Sequence, residues 1–161
     1  MIIILEELVM CLVLLLICIV GMANGCVGLV VFYEKDVQQR VVELGLVTRE
    51  QIKRSSIITM LALFIPVLFA VPAMVYGYNG AENYLSGFWQ MTAIYLIMGL
   101  FDRLFIDLYW VGHTKAWIIP GTEDLMPYIP VKTVVKKWIG TLVGFPLTAA
   151  AIAGIMTLII G

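Results

Sequence analysis

Leu8–Phe32 reads LVMCLVLLLICIVGMANGCVGLVVF, 25 residues without one charged side chain. About 20 apolar residues in a helix, at about 1.5 Å each, cover the hydrocarbon core of a bilayer. Three further stretches meet the same requirement: Ile57–Tyr76, Phe88–Trp110 and Trp138–Ile160. None alternates with period two, so a closed barrel is excluded and helices remain as the way to satisfy the backbone in lipid. The expected fold is all-α, a four-transmembrane-helix bundle. It forms one domain over residues 1–161, with helices at about 8–44, 49–77, 88–113 and 136–160.

Composition agrees. The chain has 161 residues, 62% hydrophobic and 13% charged, with a mean hydropathy of +1.03. A small sphere has too much surface to hide so many apolar side chains from water. A soluble domain, a disordered tail and a nucleic-acid binder are excluded, the last also because the formal net charge of −1 exerts no pull on a polyanion. The leader before Leu8 carries Glu6 and Glu7 and no Lys or Arg, so the first stretch reads as a retained helix and not as a signal peptide.

The basic residues orient the bundle. Lys35, Arg40, Arg49, Lys53 and Arg54 fall between the first two stretches; Lys115, Lys132, Lys136 and Lys137 fall between the last two. The second link has none and carries Glu82. The positive-inside rule then puts the first and third loops in the cytoplasm and both termini outside.

The first loop keeps helical periodicity at Val37, Val41 and Leu44, which predicts that helix 1 runs on past the bilayer to a glycine cap at Gly45. Thr48-Arg49-Glu50-Gln51 has the form of a capping box. Together these predict a cytoplasmic hairpin extending helices 1 and 2. The third loop differs: Pro120, Pro127 and Pro130 forbid a long helix, and Trp117, Ile118, Ile119, Leu125, Met126 and Ile129 forbid free solution. It should pack under the bundle, with Pro120-Gly121 as a turn.

Charges inside membrane helices cost about 2.5–3.5 kcal/mol each at the centre and mark functional positions. The third stretch holds three: Asp102, Arg103 and Asp107. Arg103 and Asp107, four apart, share a face and can pair. Asp102 lies about 100° round, on the face that His113, the sole histidine, continues. One reading is a structural ion cluster. The other is a ligand site of Asp102, Arg103, Asp107, His113, Glu123 and Asp124. In that site Arg103 holds a headgroup, and the loop carboxylates Glu123 and Asp124 reach Arg103, Lys115 or His113. His113, Asp107 and Glu123 are the candidates for acid–base chemistry. The spacing matches no nucleophilic triad or metal motif, and no cofactor is implied.

Cys11, Cys18 and Cys26 read as small packing residues. Gly21–Gly25 and Gly140–Gly144 form GxxxG units, fit for close helix packing within the chain, for a homo-oligomer or for a membrane partner. Asn24 is placed to donate a hydrogen bond across helices. Pro66, Pro72 and Pro146 should bend their helices and open space between them.

The run Phe101-Asp102-Arg103-Leu104-Phe105-Ile106-Asp107, followed by Pro120-Gly121-Thr122-Glu123, resembles a pattern in small bacterial four-helix integral membrane proteins of uncharacterised activity. The resemblance implies that these two segments form one unit and that the chain resides in a bacterial plasma membrane; it implies no activity. The functional expectation is binding or transport of a lipid or small amphiphile near the cytoplasmic face, with membrane lipids as partners. The alternatives are a membrane-embedded lipid-modifying enzyme and a structural subunit.

Overall fold

A computed structural model of the chain describes residues 2–23 and 25–160, and all regular structure among them is helical. Helix α1 is Ile2–Gly21, followed by a tight 3-10 segment, Cys26–Phe32, and a short helix α2, Lys35–Glu43. Helix α3 is Arg49–Tyr78. Helix α4, Tyr84–Phe101, is prolonged by a wider π-helical stretch, Asp102–Val111. Helix α5 is Val131–Ile160. Ile3–Gly21, α3 and α5 are long and apolar enough to cross a membrane. Their outer faces are bare hydrocarbon, with Val20, Phe69 and Leu158 at 70%, 69% and 86% exposure, a surface suited to lipid and unsuited to water. Helix α4 sits centrally against α1 and α5.

The apolar spacing predicts one helix over about 8–44; the chain breaks it twice. α1 stops at Gly21, and Gly25 adopts φ 90°, a conformation open to glycine. The Cys26–Phe32 segment then folds back on the end of α1. A Cβ on Gly21 would lie 2.3 Å from a Leu29 methyl, and one on Gly28 would lie 2.4 Å from the Gly21 carbonyl oxygen. Gly21 and Gly25 therefore serve a reversal of the chain, and they do not share a helix face as the GxxxG reading requires. Asn24, with its expected cross-helix bond, lies outside the described residues. Extended backbone at Tyr33 and Glu34 makes the second break.

The projecting hairpin is thereby replaced by a compact cap. Val37 and Val41 are fully buried, as their periodicity requires, but they pack against the segment 114–130. Gly45 closes α2 at φ 70°, with Leu46 N–H bonded to the Val41 carbonyl and Gly45 N–H to that of Val42, the Schellman pattern. The capping box at Thr48 and Gln51 forms on both sides. Helix α4 starts at Tyr84, earlier than its apolar run, because the Asn83 side chain caps it through Ser86 N–H. Helix α5 starts at Val131, directly after Pro130.

Two buried clusters result. One fills the cap with Cys26, Leu29, Val30, Tyr33, Trp117 and Ile119; the other fills the bundle with Val71, Met91, Ile94, Tyr95 and Ala149. Gly99 lets α4 touch α5, since a Cβ there would fall 2.6 Å from Thr141 and 2.7 Å from Phe145. Gly140 and Gly144 face open space. In α3 the prolines shift the ladder to i→i−5 bonding, with Val71 N–H on the Pro66 carbonyl. The next donor in that register is Pro72, which has no N–H. The Val67 carbonyl it leaves free accepts instead from the Tyr95 hydroxyl at 2.6 Å.

Candidate functional site

All three charges of α4 lie on its π-helical stretch, a form of helix often found at functional positions. Arg103 pairs with Asp102 through Nη2, and its Nη1 lies 2.6 Å from Asp107 Oδ2. Lys137 of α5 donates to Asp107 Oδ1 at 2.7 Å. Asp107 is thus shared by two cations. The Arg103–Asp107 pair was legible from the spacing. Asp102 was expected on the face of His113 and is drawn to Arg103 instead. Lys137 stands thirty residues away in sequence and carries no local sign of this role. The Arg103 side chain is 9% exposed and that of Asp107 13%.

This cluster closes one end of a cavity of about 380 Å³ bounded by α1, α3, α4, α5 and the segment 114–130. Helix direction orders its lining. On α1 it runs from Met10 to Cys18, on α4 from Met98 to Val111, and on α5 from Thr148 back to Lys137. At about 1.5 Å per residue it extends roughly 12–20 Å along the helices. The end toward Met10, Met98 and Phe145 is apolar; the opposite end carries the ion pairs, Trp117 and Tyr128. Pro66 contributes to the wall. At the polar end three buried donor atoms make no hydrogen bond: Arg103 Nε, Arg103 Nη1, whose approach to Asp107 is an ion-pair contact, and Trp117 Nε1. Buried N–H groups are rarely left so, because each forfeits its bond to water.

The segment 114–130 packs under the bundle as its composition requires. The Tyr33 hydroxyl donates to the Trp117 carbonyl at 2.6 Å, and the buried Thr122 hydroxyl donates to the Ile119 carbonyl at 2.8 Å. Burial pushes the Tyr33 phenol well above its usual range, so it stays a donor. The carboxylates of this segment go elsewhere than expected. Glu123 Oε2 accepts from Gly121 N–H at 2.8 Å, bending back on its own turn. Asp124 pairs with Arg40 at 3.1 Å. Both are exposed and neither reaches Arg103, Lys115 or His113. The physical reason is the break in helix 1: it folds α2 against the turn, and Arg40 meets Asp124 there.

His113 is exposed, with Nδ1 2.6 Å from the Leu108 carbonyl oxygen. It lines a second cavity of about 290 Å³, whose wall also includes Asp107, Arg103 and Trp138. Glu123 is not part of it. Among the described residues no group of three or more His, Cys, Asp or Glu side chains is arranged to hold a metal, and the three cysteines are buried and free. The residues brought together in ion pairs are therefore Asp102, Arg103, Asp107 and Lys137; Trp117 lines the larger cavity with them, His113 lines the smaller one with Arg103 and Asp107, and Glu123 and Asp124 stand apart. No family model, curated protein or solved structure matches the chain.

Proposed function

We propose that the chain is a four-span plasma-membrane protein that binds or carries a lipid or small amphiphile in the larger cavity. In this reading α4 is the fourth span, and the end bearing the cap and the basic loops faces the cytoplasm, as the positive-inside rule requires. The observation that carries the reading is the pairing, in one cavity, of an apolar length with a polar end holding unpartnered donors of Arg103 and Trp117. Ligand sites have this form: mostly apolar walls and a few convergent polar groups. An acyl or isoprenoid chain occupies the apolar length, and its oxygen-bearing head accepts from Arg103 and Trp117. Gentle extraction followed by native mass spectrometry tests this. The wild-type chain should carry an amphiphile mass, and Ile17→Trp, which fills the cavity from α1, should lose it. A wild-type chain free of any such mass, and unable to bind added amphiphiles, refutes the proposal.

A membrane-embedded lipid-modifying enzyme is the second reading. His113 and Asp107 on the wall of the smaller cavity favour it. The tie from His113 to the Leu108 carbonyl and the outward position of Glu123 count against it.

A further inference from the structure

We infer that the amphiphile held in this cavity carries an uncharged acceptor head, such as an ester, an amide or a glycerol hydroxyl, and that anionic lipids and fatty-acid carboxylates are disfavoured. The inference rests on the binding reading above and specifies its ligand class. It follows from two counts at the polar end.

The first is of charge. Asp102 and Asp107 contribute two negative charges, and Arg103 and Lys137 contribute two positive charges. The other polar side chains on the lining are neutral. The Tyr33 hydroxyl is committed to the Trp117 carbonyl, the Tyr128 hydroxyl is shared with Thr122, Thr148 donates to the Gly144 carbonyl, and Cys18 is a buried thiol. A carboxylate or phosphate entering this set would be an uncompensated charge in a largely apolar, partly open cavity, which is costly. It would also face two carboxylates already in place.

The second is of hydrogen-bonding capacity. The unpartnered atoms at the polar end, Arg103 Nε and Nη1 and Trp117 Nε1, are all donors. Neither an arginine nor an indole nitrogen can accept. A head that only donates gains nothing from them; a carbonyl or ether oxygen satisfies them. The arginine faces both carboxylates through its Nη groups, and its Nε and Nη1 still lack a hydrogen-bond partner. An uncharged acceptor meets both counts together.

The test uses the full chain in detergent micelles at pH 8, where a free carboxyl is ionised, and a series of one chain length: dodecanoate, dodecanamide and dodecanoyl glycerol. Thermal shift and competition against a fluorescent acyl probe report affinity. Dodecanamide and dodecanoyl glycerol should bind at least about tenfold tighter than dodecanoate. Asp102→Asn preserves shape and leaves one net positive charge, so it should move the preference toward dodecanoate. Trp117→Phe keeps an aromatic ring in the cap and removes one donor; it should weaken the neutral ligands about tenfold. Dodecanoate binding as tightly as the amide in the wild type overturns the neutral-head inference and leaves the binding proposal standing. Failure of all three ligands to bind overturns both.

Discussion

Replacing Arg103 by alanine probes the ion cluster most directly. The side chain is 9% exposed and holds two carboxylates, with side-chain exposures of 26% for Asp102 and 13% for Asp107. Removing one partner from a buried ion pair costs about 3–5 kcal/mol, because the other charge stays behind without compensation. Here the two carboxylates are affected unequally. Asp107 keeps Lys137 at 2.7 Å. Asp102 loses its ion partner, and its partial access to solvent softens the penalty. The expected loss is therefore at the lower end, about 3 kcal/mol. Lys137→Ala should cost less, about 1.5 kcal/mol, the low end for a charged hydrogen bond, since Asp107 keeps Arg103. The double variant leaves both carboxylates without a cation, and its loss should exceed the sum of the two single losses. Reversible unfolding in mixed micelles with rising SDS, followed by tryptophan fluorescence, measures all three. An Arg103→Ala chain within about 1 kcal/mol of wild type would refute the reasoning. So would a double variant equal to the plain sum, because the shared carboxylate is what couples the two cations.

Tyr95→Phe should cost about 1–3 kcal/mol by leaving the Val67 carbonyl without a donor. The loss should shrink in a Pro72→Ala background, where a backbone N–H is restored; an unchanged loss there would show that Pro72 does not create the vacancy. Gly99→Val should destabilise by about 1–3 kcal/mol through overpacking against Thr141 and Phe145, whereas Gly154→Ala, with open space around it, should be neutral or slightly stabilising in the same unfolding assay. For orientation, a single cysteine at Glu82 in a chain with the three native cysteines replaced should react with an impermeant maleimide in intact cells, and one at Gln39 should not. Labelling of Gln39 from outside would invert the proposed topology.

Local signals survived into the structure where their cause lies within a turn or two of chain. The capping box at Thr48 and Gln51 needs two side chains and one backbone turn, and it formed. Gly45 needs a left-handed conformation that glycine supplies, and it closed α2. Val37 and Val41 were buried because a helical period of apolar residues finds a core wherever the helix ends up. The same period could not reveal that the helix carrying them is separate from α1. No charge interrupts Met22–Gly25, whose one polar residue is Asn24, and hydropathy does not register a break made by glycine packing. The candidate site shows the same division. Asp102, Arg103 and Asp107 are neighbours in sequence and stand out as charges in an apolar run. Lys137 reaches Asp107 only through the packing of α5, and Trp117 joins the lining of the same cavity only through that of the segment 114–130.

The sequence by itself determined the class of the molecule, its apolar helices, the concentration of basic residues in two of the links between them and the presence of an ionic group within α4. Each is a property of composition or of spacing along one helix, and bilayer thickness and backbone hydrogen bonding leave few other outcomes. The tertiary structure alone decided which charges meet. Asp124 went to Arg40 because the broken first helix lays α2 against its turn, and Asp107 gained Lys137 because α5 passes beside the π-helical stretch of α4. It also decided that a cavity lies between the two buried clusters, with Arg103 and Trp117 left as free donors at its polar end. Partner choice between polar groups far apart in the chain depends on how helices pack, and that geometry is set by side-chain fit along every contact at once, which no short stretch of sequence encodes.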